Sequence, residues 1–79
     1  MNSISEIVRE HRRVSGLSQA ALAKLAGVGK TVVFDLEHGK QSIRLDTLTR
    51  ILTVLNISIK LESPLMAQLQ AKRSEPRSP

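Results

Sequence analysis

Apolar residues recur at helical spacing near the start of the chain, behind a clear start signal. Ser3 is followed three residues later by Glu6, which is the form of a capping box. The positions that share roughly one face of the predicted helix are Ile4, Val8, His11 and Val14. The pattern predicts a first helix that ends before Gly16, with His11 partly buried as a packing residue.

A short second helix is predicted from Gln19 to Ala26. Ser18 is suited to cap it, because its hydroxyl can accept a hydrogen bond from a free N–H of the first turn, and most residues that follow are strong helix formers. Gly27 is suited to end the helix in the left-handed conformation. Ala23 and Ala26 present small side chains, so we expect a neighbouring helix to approach closely there.

A third helix, also short, is predicted from Lys30 to His38. Gly29 is a permissive N-cap for it, and Gly39 is suited to a left-handed exit. Val33 and Leu36 are expected to point inward. The single aromatic residue of the chain, Phe34, falls on the polar side of this helix, so we expect it to be exposed.

An apolar stripe predicts a fourth helix that ends near Asn56. Its members are Leu45, Leu48, Ile51, Leu52 and Leu55. Asp46 lies in the first turn, where the positive end of the helix dipole favours an acidic residue. The helix follows a polar connection over residues 40–44, so the chain is predicted to contain four helices in its first three quarters.

The sequence period then changes from helical to alternating. Over Ile57 to Glu62 apolar and polar residues alternate, and Pro64 blocks further pairing. The apolar row consists of Ile57, Ile59 and Leu61. An isolated strand leaves its backbone groups unpaired, and no second strand is predicted in the chain. We therefore expect this strand to pair with its own copy across a two-fold axis, which forms an intermolecular two-stranded sheet in a homodimer.

Composition restricts the class of protein. The 79 residues suffice for one domain with a small core, and with one aromatic residue an aliphatic helical core is favoured. There is no cysteine for a disulfide or a thiolate metal site, and no apolar run is long enough for a signal peptide or a membrane span. We expect a cytoplasmic protein with a domain over residues 1–63 and a flexible tail over residues 64–79.

Charge and helix arrangement together indicate DNA as a partner. Twelve Lys and Arg residues against seven Asp and Glu residues give a net charge of +5, which favours an anionic partner. Two short helices joined by a glycine-containing turn form a helix-turn-helix, whose second helix can enter the major groove. No nucleophile elbow, phosphate-binding glycine loop, paired carboxylates or metal-ligand spacing is present in the sequence, so we expect no enzyme activity, cofactor or metal.

The pattern around these two helices resembles the Xre/Cro helix-turn-helix family. The matching residues are Leu17-Ser18-Gln19, Leu22-Ala23, Ala26-Gly27-Val28, Val33, Leu36-Glu37, Gly39 and Leu45-Asp46-Thr47-Leu48. The stretches from Asp35 to Lys40, from Arg44 to Leu48 and from Ile59 to Pro64 are similar to HipB-type antitoxins in particular. The resemblance implies a mainly α, lambda-repressor-like helical bundle, to which the predicted C-terminal strand adds the intermolecular sheet.

The resemblance also implies roles for individual residues. The base-reading positions are Gly29, Lys30, Thr31, Phe34 and Asp35. The DNA phosphate positions are Gln19, Lys40, Gln41, Ser42 and Arg44, although a solvated loop would have the same composition as the last four. Lys30 and Thr31 carry most of the hydrogen-bonding capacity, whereas Phe34 can make only apolar contact. Arg12 and Glu37 match a family pair that joins the first helix to the third, so we expect a structural role for both.

Three functions are consistent with the sequence. The resemblance implies a homodimeric repressor of a palindromic operator that also neutralises a HipA-like serine/threonine kinase toxin and represses its own operon. The candidate toxin contacts are Leu65, Met66 and Leu69, and a frayed tail is the alternative for them. A stand-alone repressor without a toxin is the second possibility, and an interaction adaptor that does not read DNA is the third. A membrane-surface role is disfavoured, because the only loosely amphipathic candidate, residues 65–73, is short.

Overall fold

The computed structural model describes residues 3–65, and this part of the chain is built from four α-helices. Their bounds are Ile4–Val14 (α1), Gln19–Ala26 (α2), Lys30–Glu37 (α3) and Leu45–Val54 (α4). All four predicted helices are confirmed, although α3 and α4 end slightly before the predicted positions. None of the helices within residues 3–65 is long and apolar enough to cross a membrane.

The helix starts follow the cap residues that the sequence predicts. The backbone N–H of Glu6 donates to the hydroxyl of Ser3 over 3.3 Å, and that of Ala21 donates to the hydroxyl of Ser18 over 3.0 Å. Gly29 is the N-cap of α3 and has no side chain to offer. The first two helices are therefore closed by side-chain caps, whereas the first turn of α3 keeps N–H groups that no cap side chain takes.

All four helices end in the same hydrogen-bonded motif. In each, a residue with positive φ follows the helix, its N–H bonds back to the carbonyl three residues earlier, and the next N–H bonds back five residues, as in a Schellman motif. The residues with positive φ are Gly16, Gly27, Gly39 and Asn56. At the end of α4 the N–H of Ile57 donates to the carbonyl of Leu52 over 2.9 Å, and Ile57 packs against the core. The motif thus sets the direction in which the chain leaves each helix.

The core lies where α2 packs on α3 and α4. Its buried residues are Val8, Leu22, Ala23, Ala26, Val33, Leu36, Ile51, Leu52 and Leu55. Ala23 is 2% exposed, which confirms the expectation that small side chains of α2 permit the close approach of its neighbours. The whole core is aliphatic, as the composition favours.

The face that α1 turns to the core differs from the predicted one. Of the four residues in the predicted stripe only Val8 is buried, and His11 is exposed, so its expected packing role is wrong. The ring Nδ1–H of His11 instead donates to the carbonyl of Ile7 over 2.7 Å within the same helix. Val8 and Arg12 lie four residues apart on one face, and an ion pair of Arg12 holds that face inward. Leu45, at the start of the predicted α4 stripe, is also exposed.

The segment after α4 carries predictions that a single chain does not test. Residues 57–63 have no strand assignment in this chain, and because the predicted sheet needs a second copy, the intermolecular pairing stays a prediction. Leu65 is exposed. Met66 and Leu69 lie outside the described residues, so the tail over residues 64–79 also stays a prediction.

Replacing Ala23 by Leu tests the close packing of α2. We expect Ala23→Leu to lower the free energy of unfolding by about 1–3 kcal/mol, because extra methyl groups in a filled core force side chains or backbone to move. Ala20→Leu is the matched control, since Ala20 is exposed on the same helix, and it is expected to change stability by less than about 0.5 kcal/mol. Urea unfolding followed by circular dichroism measures both, and equal stabilities of the two variants would contradict the packing described here.

Candidate nucleic-acid interface

The exposed face of α3 collects most of the predicted base-reading residues. Gly29 precedes the helix, and Lys30, Thr31 and Phe34 are exposed on it. The opposite face of α3 is buried in the core. A Cβ built on Gly29 meets no heavy atom within 4 Å, so the space in front of the helix start is open. The structure thus brings these four residues together on one free surface at the N-terminal half of α3.

Asp35 lies at the edge of this surface, one helical turn after Thr31. Its side chain is about one-third exposed, and its carboxylate lies 3.6 Å from the ammonium nitrogen of Lys40. Its neighbour in sequence, Leu36, is buried in the core. Asp35 is therefore at the flank of the exposed face, where a contact with Lys40 competes with the predicted contact with a base.

An aromatic pair extends the exposed face toward the end of α3. The rings of Phe34 and His38 are stacked, with their centroids 3.9 Å apart and their planes 22° from parallel. The Nδ1–H of His38 donates to the carbonyl oxygen of Phe34 over 2.7 Å. Phe34 is 46% exposed, as its place in the sequence predicts. His38 was not among the predicted site residues, and its spacing of four residues from Phe34 is the signal that could have indicated the pair.

A buried ion pair holds α1 against α3 behind this surface. Arg12 donates from Nε to one carboxylate oxygen of Glu37 over 2.6 Å and from Nη2 to the other over 2.9 Å. The side chains are 12% and 1% exposed, respectively. Arg12 also donates from Nη1 to the carbonyl of Leu17 over 2.9 Å, which ties the pair to the segment before α2. The expected structural role of Arg12 and Glu37 is confirmed by these contacts.

Gln19 belongs to the same network. Its side-chain amide donates to Glu37 over 3.3 Å, and the residue is half-buried. The sequence predicts this residue as a phosphate contact that points outward from the start of α2. One hydrogen of the amide is directed inward to Glu37, which positions the amide at the helix start and leaves its second hydrogen for another acceptor. The phosphate role stays a prediction.

The charge of Glu37 is favoured by its partners. Burial alone raises the pKa of this carboxyl, but hydrogen bonds from Arg12 and Gln19, together with the charges of Arg12 and Arg9, outweigh burial and lower the pKa below its ordinary value near 4.5. The same contacts raise the pKa of Arg12, mainly through its hydrogen bond to Glu37. The pair is therefore ionised at neutral pH.

The loop between α3 and α4 carries the remaining predicted phosphate contacts. Lys40, Gln41, Ser42 and Arg44 are all exposed. Arg44 lies 3.2 Å from the carboxylate of Asp46, and Lys40 reaches toward Asp35 as described above. Such exposed ion pairs contribute at most about 1 kcal/mol, so another anion can replace the carboxylates at little cost. Between these residues lies a cleft of about 200 Å³ above Val32, Leu36 and Ile43.

The site offers no metal-binding arrangement in the described part of the chain. Within residues 3–65 no group of three His, Cys, Asp or Glu side chains could hold a metal ion. What the exposed face of α3 presents is one ammonium, one hydroxyl, an aromatic pair and an open helix start. These groups can donate hydrogen bonds and make apolar contacts with a surface that is acidic and grooved.

The lowered pKa of Glu37 predicts a specific pH dependence of stability. A carboxyl whose pKa is lower in the folded state stabilises the fold above its unfolded pKa, and this stability is lost as the pH falls through the folded pKa. We expect Glu37→Gln to lower the free energy of unfolding by about 3 kcal/mol at pH 7, because the charge of Arg12 loses its partner. The gap between wild type and variant should narrow as the pH falls below about 4.5.

Chemical denaturation across a pH series measures this gap. Glu10→Gln is the matched control, since Glu10 is exposed on α1 and the substitution removes the same charge. We expect its stability to follow the wild type at every pH. A Glu37→Gln variant that is as stable as the control at pH 7 would contradict the role of the buried pair.

Known proteins share this sequence pattern and this fold. Residues 8–61, more than half of the chain, match the family HTH_3, described as Helix-turn-helix. Control protein C.SmaI of Serratia marcescens is 32% identical over 56 residues, which are 71% of this chain and 67% of that protein.

Two solved structures are similar over most of the chain. The restriction-modification controller protein C.AhdI from Aeromonas hydrophila has a TM-score of 0.65 at 33% identity, over 70% of this chain and 83% of that one. A complex of a HipB variant with an O2 20mer has a TM-score of 0.70 at 25% identity, over 81% and 93% of the two chains. With its buried Arg12–Glu37 pair and its exposed α3, the chain is a member of the helix-turn-helix family HTH_3 of DNA-binding transcription regulators.

Proposed function

We propose that this chain is a sequence-specific transcriptional repressor that binds a palindromic operator as a homodimer. The observation that carries the proposal is the orientation of α3. Val33, Leu36 and Glu37 are buried, whereas Lys30, Thr31 and Phe34 are exposed together. In helix-turn-helix proteins the second helix enters the major groove and its N-terminal residues reach the base edges.

The exposed groups suit the base edges of the major groove. The ammonium of Lys30 can donate to the O6 and N7 acceptors of guanine, and the hydroxyl of Thr31 can bond to a base edge or touch a thymine methyl with its own methyl group. Gly29 offers no side chain, so the backbone at the start of α3 can approach the DNA closely. Direct reading of sequence in this proposal therefore depends mainly on Lys30 and Thr31.

The flanks of the interface suit the DNA backbone. The start of α2 has Ala20 and Ala21 after Gln19, so no acidic side chain opposes the phosphates there. On the other side, Lys40 and Arg44 place two cations in the exposed loop after α3. Contacts from both flanks position the protein on the duplex without reading its sequence.

Dimerisation is proposed through the segment after α4. Ile57 packs on the core, whereas Ile59 and Leu61 of the same alternating row are exposed in the single chain. Pairing of this segment with its copy would cover these side chains and satisfy the unpaired backbone groups. Two α3 helices placed by such a dimer would read half-sites about 34 Å apart, one turn of DNA.

Separate substitutions test base reading and backbone contact. Once footprinting has located the operator, we expect Lys30→Ala with Thr31→Ala to lower the preference for the operator over a mismatched site about tenfold. Lys40→Ala or Arg44→Ala should weaken binding to both sites equally and reduce the slope of log affinity against log salt concentration by about one for each substitution in each subunit. Fluorescence anisotropy titrations at several salt concentrations measure both effects.

Arg50→Ala is the control for charge loss. Arg50 is exposed on α4 beyond the first turn, and the substitution removes the same charge. It should leave the salt slope unchanged. An interaction adaptor of the same fold would show no operator at all in footprinting, and operator preference that survives the double substitution would contradict the reading roles given to Lys30 and Thr31.

The dimer is tested by a charge in the apolar row. Leu61 is 75% exposed, so Leu61→Lys should leave the fold of a single chain intact while a lysine in the apolar row of the proposed sheet disfavours its formation. Ser58→Lys, in the polar row of the same segment, is the matched control and should remain dimeric. Sedimentation velocity at micromolar concentration distinguishes the two, and a monomeric wild-type chain would overturn the proposal.

A second candidate function is that of an antitoxin in a toxin–antitoxin module. It is supported by the similarity to HipB-type sequences from Asp35 to Pro64 and by the likeness to the HipB structure. The partner would be a HipA-like serine/threonine kinase, with exposed Leu65 among its contacts and Met66 and Leu69 as further candidates outside the described residues. Co-purification from the native host decides between this function and a stand-alone repressor, which would be recovered without a kinase.

A further inference from the structure

The stacked Phe34–His38 pair is the largest apolar feature of the exposed face of α3. Phe34 lies four residues after Lys30 and three after Thr31, so the three side chains share one face of the helix, with the aromatic ring behind the two polar groups. His38 follows one turn later and covers one side of that ring. A helix that places Lys30 and Thr31 at base edges therefore brings the Phe34 ring to the groove floor as well.

The Phe34 ring is restricted by a neighbouring side chain before any DNA is bound. One face of the ring stacks on the ring of His38, and His38 in turn is held by its Nδ1–H bond to the Phe34 carbonyl. Two side chains that already restrict each other lose little conformational freedom on binding. The half-exposed ring is thus an apolar surface that is partly preorganised for binding.

Only one group in the major groove matches such a surface. A phenyl ring can neither donate nor accept the hydrogen bonds by which most base edges are distinguished, and a donor or acceptor covered by it without a partner is penalised. The C5-methyl group of thymine is the apolar group of the groove, and 5-methylcytosine carries the same methyl at the same ring position. A methyl group that packs against the ring is removed from water, which is favourable, and no hydrogen-bonding group loses its partner in the process.

We propose that the Phe34–His38 pair recognises the C5-methyl group of a pyrimidine, so that Phe34 is a specificity-determining residue and His38 positions it. This inference rests on the proposed operator binding and adds the chemical identity of one base contact. It further implies that the affinity for an operator depends on methylation wherever a cytosine takes the place of the recognised thymine. The protein would then bind the methylated and unmethylated forms of the same base sequence with different affinities.

The test removes and restores one methyl group at a time. In duplexes of the footprinted operator, each thymine is replaced in turn by deoxyuridine, which differs only by the missing methyl. We expect one position per half-site at which the wild type loses affinity about fourfold, and about fifteenfold when both half-sites are changed. Cytosine at that position should bind more weakly than thymine, and 5-methylcytosine should recover about fourfold of the loss.

Variants of the pair connect the effect to these residues. Phe34→Ala should bind thymine and deoxyuridine operators equally, and Phe34→Leu should retain part of the difference. His38→Ala should reduce the difference without removing it, because the ring remains but is no longer held. Val14→Ala is the matched control, since Val14 is a fully exposed apolar residue at the end of α1, and it should preserve the fourfold effect.

The outcomes separate this inference from the proposed function. Operator binding that is insensitive to every deoxyuridine replacement, or a sensitivity that Phe34→Ala leaves unchanged, overturns the methyl contact while the repressor function stands. Absence of any preferred DNA sequence overturns the repressor function itself. Thermal unfolding of each variant verifies that all are folded, which the exposure of Phe34 and His38 predicts.

Discussion

The buried pair of Arg12 and Glu37 determines how the parts of this small bundle are oriented. Charges are costly to remove from water, and this pair is stable only because each group is satisfied: the carboxylate accepts from Arg12 at both oxygens and from Gln19, and the guanidinium also reaches the carbonyl of Leu17. The network joins α1, the start of α2 and the end of α3. An aliphatic core alone would permit small rotations of these helices, whereas directional hydrogen bonds permit one arrangement.

The orientation of α3 is the part of this arrangement that matters for DNA. Glu37 lies at the end of α3 and faces inward, so the helix cannot rotate without breaking the pair. With Val33, Leu36 and Glu37 inward, Thr31 and Phe34 face outward by helical geometry, and Lys30 is exposed at the start of the helix. The same network holds the amide of Gln19 at the start of α2, on the flank where a phosphate is proposed. A structural ion pair behind the exposed face therefore helps to determine which side chains of α3 are available to a partner.

Much of the fold could be predicted from local signals, and the errors have physical causes. Capping serines and glycines located the helix ends because they act within a few residues of the chain. A serine hydroxyl accepts a hydrogen bond from the first turn, and a glycine adopts the positive φ that ends a helix. The predicted inward face of α1 was wrong because it was taken from the spacing of apolar residues alone. The observed inward face includes the charged residue Arg12, whose partner Glu37 lies 25 residues away in sequence. The spacing of four residues permits a contact between His38 and Phe34, but the stacked geometry depends on rotamers that spacing alone does not fix. The strand after α4 depends on a second chain, which one sequence and one fold cannot supply.

The ending of α4 has a consequence for how such a protein can evolve. Three helices end at a glycine, but α4 ends at Asn56, held in the left-handed conformation with φ of +59°. This single residue directs the segment that is proposed to join two copies, and in sequence it lies after α4, apart from α3 and the loop that follows α3. Changes near residue 56 would re-aim one subunit against the other and leave the reading surface as it is. In the proposed dimer, the spacing of the half-sites and the bases read within each half-site would thus be separate variables, which selection could alter one at a time.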